Sequence, residues 1–163
     1  MESVGTRFSR TTLGTSRQSS RLPILRDLGV DLPLLDDATL NERIRSARPD
    51  GIDKILELVG PATLRQSMSW LSYHSIICCT GVLEHRFSLD IFDPIKFIPN
   101  GVYLSSFFSN FPTQDRIGEI FRHLAAHQLR PVISRVYRFD QIGLAHELME
   151  NNNALGKIVI TVS

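Results

Sequence analysis

The chain has 163 residues, of which 42% are hydrophobic and 21% charged, with a formal net charge of +1. That length suits one ordinary domain with a single core, and the mixture is that of a globular chain. The near-neutral balance and scattered basic residues argue against nucleic acid as a partner. No apolar run approaches the roughly 20 residues needed to span a bilayer.

Residues 1–10 are polar and without period, which predicts a disordered leader before a folded domain at 11–163. Across residues 1–21, Arg7, Arg10, Arg17 and Arg21 and nine Ser or Thr stand against a single acid, Glu2. A mitochondrial leader has this composition, and so does a plain polar tail. No signal-peptide apolar core is present, so a cytoplasmic location is expected.

Thr11–Ser16 is short, Thr-rich and a candidate strand. Ser20 is a candidate cap for a helix starting near Arg21, with Pro23 in its first turn, Leu22, Leu25 and Leu28 on one face, and Gly29 as its stop. Leu32–Leu35 reads as a strand. Residues 38–47 read as a helix with Leu40, Ile44 and Ala47 inward, and Arg48-Pro49-Asp50-Gly51 as a turn. Ile52–Val59 reads as a strand ending at Gly60, and Pro61 opens a helix with a Leu64, Met68, Leu71 stripe. Ser75–Thr80 holds a continuous apolar run, typical of a sheet covered on both faces, closed by Gly81. Val102–Phe108 is a further strand. Residues 113–128 form a helix with Ile117, Ile120, Phe121 and Leu124 at helical spacing. Pro131–Phe139 is extended. Asp140 is a candidate cap for a helix at 141–150, with Phe139 and Leu144 as its staple. Lys157–Val162 closes the chain as a strand.

Strands thus alternate with helices, which implies right-handed crossovers and a mostly parallel sheet in an open α/β domain. Such folds bind ligands at the C-terminal ends of strands, here the turns after Ser16, Gly60 and Gly81. Cys78 and Cys79 are adjacent, so on a strand they point to opposite faces and make a poor bridge or chelate. His123 and His127 lie four apart on one helix, but no third ligand is near in sequence, so no metal site is expected.

Several phrases together resemble the quinone-oxidoreductase and enoyl-reductase branch of the medium-chain dehydrogenase/reductases. Leu22–Asp31 resembles the segment between their second and third Rossmann strands. Gly51–Gly60 resembles the fourth strand, Gly81-Val82-Leu83 the end of the fifth, and Gly101–Leu104 the start of the sixth. Asn153–Ile160 resembles their closing turn and last strand. The resemblance implies a partial Rossmann-like, doubly wound sheet and an oxidoreductase with NADP(H) as cofactor. It also implies, in relatives, hydride transfer to a quinone or enone held between two domains. The catalytic domain, the first Rossmann strand and its G-x-G-x-x-G turn have no counterpart in these 163 residues. The resemblance therefore implies a truncated, weak or inactive protein, or one completed by a catalytic domain in trans. A non-enzymatic interaction module or a repurposed catalyst on the same remnant is the alternative.

The resemblance also assigns positions. Ser16, Arg17 and Arg21 stand where relatives that use NADPH place groups for the 2′-phosphate, and guanidinium suits phosphate oxygens. Gly60 and Gly81 match turns that border the cofactor, and Phe107 a position beside the nicotinamide. Asn153 and Lys157 match the closing turn that reaches towards it. As ordinary residues, these same groups are solvated arginines, turn glycines, a core aromatic and a surface loop. In relatives the sixth strand pairs across a dimer, so Val102–Phe108 is the expected homodimer edge. Finally, the Rossmann order 3-2-1-4-5-6 puts the first strand between the second and fourth. Direct pairing of Thr11–Ser16 with Ile52–Val59 is the expected closure of that gap. A leader strand or a strand from another chain are the other two routes.

Overall fold

The computed structural model describes residues 11–81, 83, 88–89, 91–108 and 112–162. The expected leader at 1–10 lies outside the described residues. The fold forms two compact units that divide between Ser109 and Asn110.

The first unit opens with β1 (Leu13–Ser16), which runs through a 3-10 turn at Ser19–Arg21 into α1 (Leu22–Asp27). Ser20 lies inside that turn and does not cap the helix; the N-cap is Arg21, without a side-chain cap bond. Chain reversal falls on Gly29, whose φ of +91° is open to glycine and costly for other residues. β2 (Leu32–Leu35) then returns parallel to β1, pairing Leu13 with Leu32 through Ser16 with Leu35. Asp31 clasps the start of this pair by accepting from Thr12 N and Thr12 Oγ1, each at 2.7 Å. Those two bonds, the backbone one foremost, hold the Asp31 carboxyl below its ordinary pKa.

At the other end of β2, Asp37 accepts from Thr39 N at 2.9 Å and Thr39 Oγ1 at 2.8 Å. It also pairs with Arg43, which donates to Leu35 O at 2.6 Å. The Thr39 bonds, then the Arg43 charge, lower the Asp37 pKa. This cluster starts α2 (Leu40–Ala47), whose Leu40 and Ile44, four apart, are buried against Leu34.

The second sheet is β3 (Ile52–Glu57), β4 (Leu71–Cys79) and β5 (Tyr103–Ser106), all parallel, with β4 central. α3 (Pro61–Met68) crosses from β3 to β4 and buries Leu64 and Met68 against Ile77 of β4. Phe97 joins that core from α4 (Pro94–Phe97). Asp93 starts α4 by accepting from Ile95 N at 3.1 Å and Lys96 N at 3.4 Å. Leu71, expected on a helix, is instead the first residue of β4. A turn at Ser69–Trp70 ends α3 first, with Ser69 Oγ donating to Gln66 O at 2.7 Å.

The expected pairing of Thr11–Ser16 with Ile52–Val59 does not occur. Among the described residues β1 bonds only to β2, and β3 only to β4. The two sheets are joined by side chains instead. Leu13, Leu32, Ile52 and Trp70, at or just before the starts of their strands, pack on the Leu34–Leu40–Ile44 cluster. Asn41 Oδ1 on α2 accepts from Trp70 Nε1 at 2.7 Å and Gln66 Nε2 at 3.3 Å.

The second unit holds α5 (Gln114–Ala126), β6 (Ile133–Arg138), α6 (Ile142–Glu150) and β7 (Lys157–Thr161), with β6 and β7 parallel. Thr113 caps α5 by accepting from Arg116 N at 3.3 Å. Asp140 does not cap α6. It falls in a 3-10 turn, where it accepts from Arg138 Nε at 3.2 Å, and Gln141 Oε1 accepts from Arg138 N at 3.1 Å. The expected staple is not packed either, since Phe139 and Leu144 are both more than half exposed.

Candidate functional site

Parallel α/β sheets present their C-terminal strand ends as the ligand side. In the first unit those ends carry six of the sequence-predicted positions. β1 ends at Ser16, whose hydroxyl is held in its own turn: it accepts from Gln18 N and donates to Gln18 O, both at 3.2 Å. Arg17 follows, with Nε 3.9 Å from Asp36 Oδ2 at the end of β2. Arg21 closes the 3-10 turn that leads into α1.

Gly60, Gly81 and Phe107 gather at the ends of β3, β4 and β5. Gly60 is the N-cap of α3, and its φ of +109° and ψ of −145° suit glycine. Gly81 donates to Glu57 O at 3.2 Å, and Leu83 to Val59 O at 2.9 Å, so the β4 end folds over the β3 end. A Cβ on Gly81 would stand 1.6 Å from Leu58 O, a contact only glycine avoids. Phe107 N donates to Cys79 O at 3.1 Å, while its ring is 62% exposed and so is not part of the core.

Asn153 and Lys157 belong to the second unit. Asn153 N donates to Leu148 O at 3.2 Å after α6, and Lys157 N donates to Val132 O at 2.8 Å as β7 begins.

Sequence reasoning missed Glu57, the residue that shapes the β3–α3 turn. It is 5% exposed, and its Oε1 accepts from Val59 N at 2.9 Å, Gly60 N at 3.2 Å and Thr63 Oγ1 at 2.9 Å. Its other oxygen accepts from Ser67 Oγ. Four donors make the buried carboxylate tolerable, because a charge away from water must be hydrogen-bonded. The signal was an acid inside the apolar run Ile55-Leu56-Glu57-Leu58-Val59. The Cys79 thiol lies nearby. Burial first, and the Glu57 charge second, push its pKa up, so it is a poor nucleophile.

Among the described residues no three His, Cys, Asp or Glu side chains come together as metal ligands. His123 and His127 stack with ring centroids 4.2 Å apart, and His127 Nδ1 lies 2.9 Å from His123 O. One ring nitrogen is thus engaged with backbone, and no third ligand completes a zinc set. The described residues do not fit a metal centre. Among them, no helix is long and apolar enough to cross a membrane.

Parallel strands, covering helices and turns gathered at the strand ends define a Rossmann-like α/β domain. The chain belongs to the zinc-binding dehydrogenase family, whose model matches residues 28–160. It is thus a domain of the medium-chain dehydrogenase/reductase type. No curated protein sequence matches it. Among solved structures, it is similar to an NAD-dependent alcohol dehydrogenase at TM-score 0.77 and 17% identity, covering 94% of this chain and 44% of that one. A mycobacterial quinone oxidoreductase gives 0.73 and 19%, covering 93% and 49%. A mycobacterial protein solved with NADPH gives 0.71 and 18%, covering 93% and 49%. The chain spans less than half the length of each.

Proposed function

We propose that this domain binds NADP(H) at the C-terminal ends of β1, β3, β4 and β5, as part of a quinone- or enone-reducing oxidoreductase. The observation that carries the reading is the chemistry at the end of β1. In dinucleotide-binding α/β folds an acid in this region takes the ribose 2′-hydroxyl of NAD, and arginine accommodates the 2′-phosphate of NADP. Here the strand ends in Ser16-Arg17, with Arg21 four residues on. Asp36 sits near Arg17 and competes with phosphate for it. The glycine turns at Gly60 and Gly81 and the exposed Phe107 ring lie on the same side of the fold and would border the rest of the ligand. The similarity to a structure solved with NADPH supports the cofactor class.

The bound cofactor would supply the hydride. These residues would hold and orient its nucleotide end. No G-x-G-x-x-G turn occurs in the 163 residues. That turn lets backbone approach the pyrophosphate, so affinity without it rests on the arginines and strand ends. The reading therefore includes little turnover by these 163 residues alone, with a catalytic domain outside them needed to form the substrate cleft. Calorimetric titration with NADPH and NADH tests it. Arg17→Ala with Arg21→Ala should weaken NADPH selectively, by roughly 1–3 kcal/mol for lost charge-assisted bonds. Equal weakening of both nucleotides, or no binding by the unaltered chain, would overturn it.

A homodimer is proposed through β5. Among the described residues it bonds only to β4, so its outer edge is unpaired, and Tyr103 and Phe108 beside it are 60% and 79% exposed. Such an edge seeks a partner strand. Light scattering should give twice the chain mass, and a monomer at every concentration would remove this assembly.

A further inference from the structure

We propose that Asp36 is a specificity-determining residue that works against the arginines: it accepts from the adenosine ribose 2′-hydroxyl of NADH and opposes the 2′-phosphate of NADPH, so that the site takes both nucleotides. The inference rests on the reading of the β1 end as the seat of that ribose.

The backbone puts Asp36 at this seat. β1 and β2 run parallel, with Ser16 paired to Leu35. Arg17 and Asp36 are the residues that follow, one on each strand, and Asp36 N donates to Ser16 O at 2.8 Å. That bond fixes the acid beside the Ser16-Arg17 step. Its Oδ2 lies 3.9 Å from Arg17 Nε, near enough for charge attraction and too long for a hydrogen bond. Both side chains reach solvent, so a ligand can meet either of them. Two other acids at these strand ends are engaged more fully. Asp37 accepts from Thr39 N and Thr39 Oγ1 and pairs with Arg43. Glu57, at the end of β3, is buried and accepts from four donors. Asp36 is held by the long ion pair to Arg17.

A carboxylate and a guanidinium at one ribose make opposite demands. A 2′-hydroxyl donates to the carboxylate, whereas a 2′-phosphate brings negative charge and acceptor oxygens and has nothing to donate. The phosphate reaches Arg17 only by drawing it away from Asp36, and it then stays beside a like charge. Dinucleotide folds use an acid for NAD and an arginine for NADP. Here one of each faces the other across the ends of neighbouring strands. Specificity is a difference of affinities, and a repulsive element shapes it as much as an attractive one. Arg17 and Arg21 are the attractive element for phosphate and Asp36 the repulsive one.

The test is calorimetric titration of the intact 163-residue chain and two variants, Asp36→Asn and Asp37→Asn, each with NADPH and with NADH. The readout is the ratio of the NADH Kd to the NADPH Kd within one variant, in which any loss of folded protein cancels. Asp36→Asn should raise that ratio about tenfold, through tighter NADPH and weaker NADH binding. Asp37→Asn removes the same charge one residue further on and should change the ratio less than about twofold, because net charge alone is screened by salt. An unchanged ratio in Asp36→Asn, a shift towards NADH, or an equal shift in Asp37→Asn would overturn the proposal while leaving the nucleotide reading in place. Binding of neither nucleotide by the unaltered chain would remove that reading, and this inference with it.

Discussion

The β1–β2 pair is built from four-residue strands over a core of Leu34, Leu40 and Ile44, and its ends are fastened by exposed carboxylates at Asp31 and Asp37. The β3–β4–β5 sheet has a nine-residue central strand, a fully buried Ile77, and a carboxylate at Glu57 that is itself buried. The first region thus depends on polar clasps in contact with water, and the second on burial. Clasps of that kind are sensitive to acid and open locally, while a sealed core fails with the whole domain. Residues 11–35 should therefore be the least protected part of the first unit.

The sharpest way to break this contrast is to cut the two cores. Ile77→Ala should cost about 3–5 kcal/mol, and Leu34→Ala about 2–3 kcal/mol, since the partly open site can relax. Urea denaturation would measure both, and a reversed order would mean that the first sheet is the better packed. Next in size is Glu57→Ala, which leaves Ser67 Oγ and two backbone N–H groups of the β3–α3 turn without their acceptor. About 3 kcal/mol should be lost, most of it regained in Glu57→Gln, which keeps an acceptor oxygen. If Glu57→Ala proves as stable as the parent, the turn is held by Thr63 and the backbone alone.

Asn41→Ala comes third, at about 1–2 kcal/mol, because Trp70 and Gln66 lose a shared acceptor across the joint between the sheets. Trp70 is the sole tryptophan, so its fluorescence should redshift in this variant before global unfolding. An unchanged spectrum would place the joint in Leu13, Leu32 and Ile52 alone. Acid gives the smallest effect. Asp31 and Asp37 have lowered folded pKa values, so their contribution is present above the unfolded value, about 3.9, and fades as pH falls through the folded values. Exchange within 11–39 should accelerate below about pH 4 before that of 71–79 does. Simultaneous loss in both segments would mean that the two sheets open together.

The alternation of strands and helices was legible because its signals are local. Leu32–Leu35 as a strand, Pro61 as a helix start and the apolar run at Ile76–Cys79 each follow from residue type and spacing. Caps were less legible. Ser20 and Asp140 have the right chemistry for a cap, but each falls inside a 3-10 turn that precedes its helix. Leu71 was misassigned because a stripe at helical spacing does not reveal where Ser69 and Trp70 break it. The pairing of β1 is a long-range property, and no local pattern says whether a strand closes on one neighbour or another. At the site, the glycine turns were visible and Glu57 was not, since a lone acid reads as solvent-facing until the four donors around it are seen.

Gly81 and Gly143 illustrate how unequal two identical letters can be under mutation. Every single-residue change at 81 adds a carbon where Leu58 O already stands, whereas a Cβ at 143, on α6, meets nothing within 4 Å. A saturation library selected for folded protein should return glycine alone at 81 and a broad palette at 143. Alanine should be enriched there, since it steadies a helix by roughly 0.5–1 kcal/mol over glycine. Position 81 is then a fixed letter for sequence drift, and a surviving substitution there would have to arrive together with a compensating shift of the chain at Leu58.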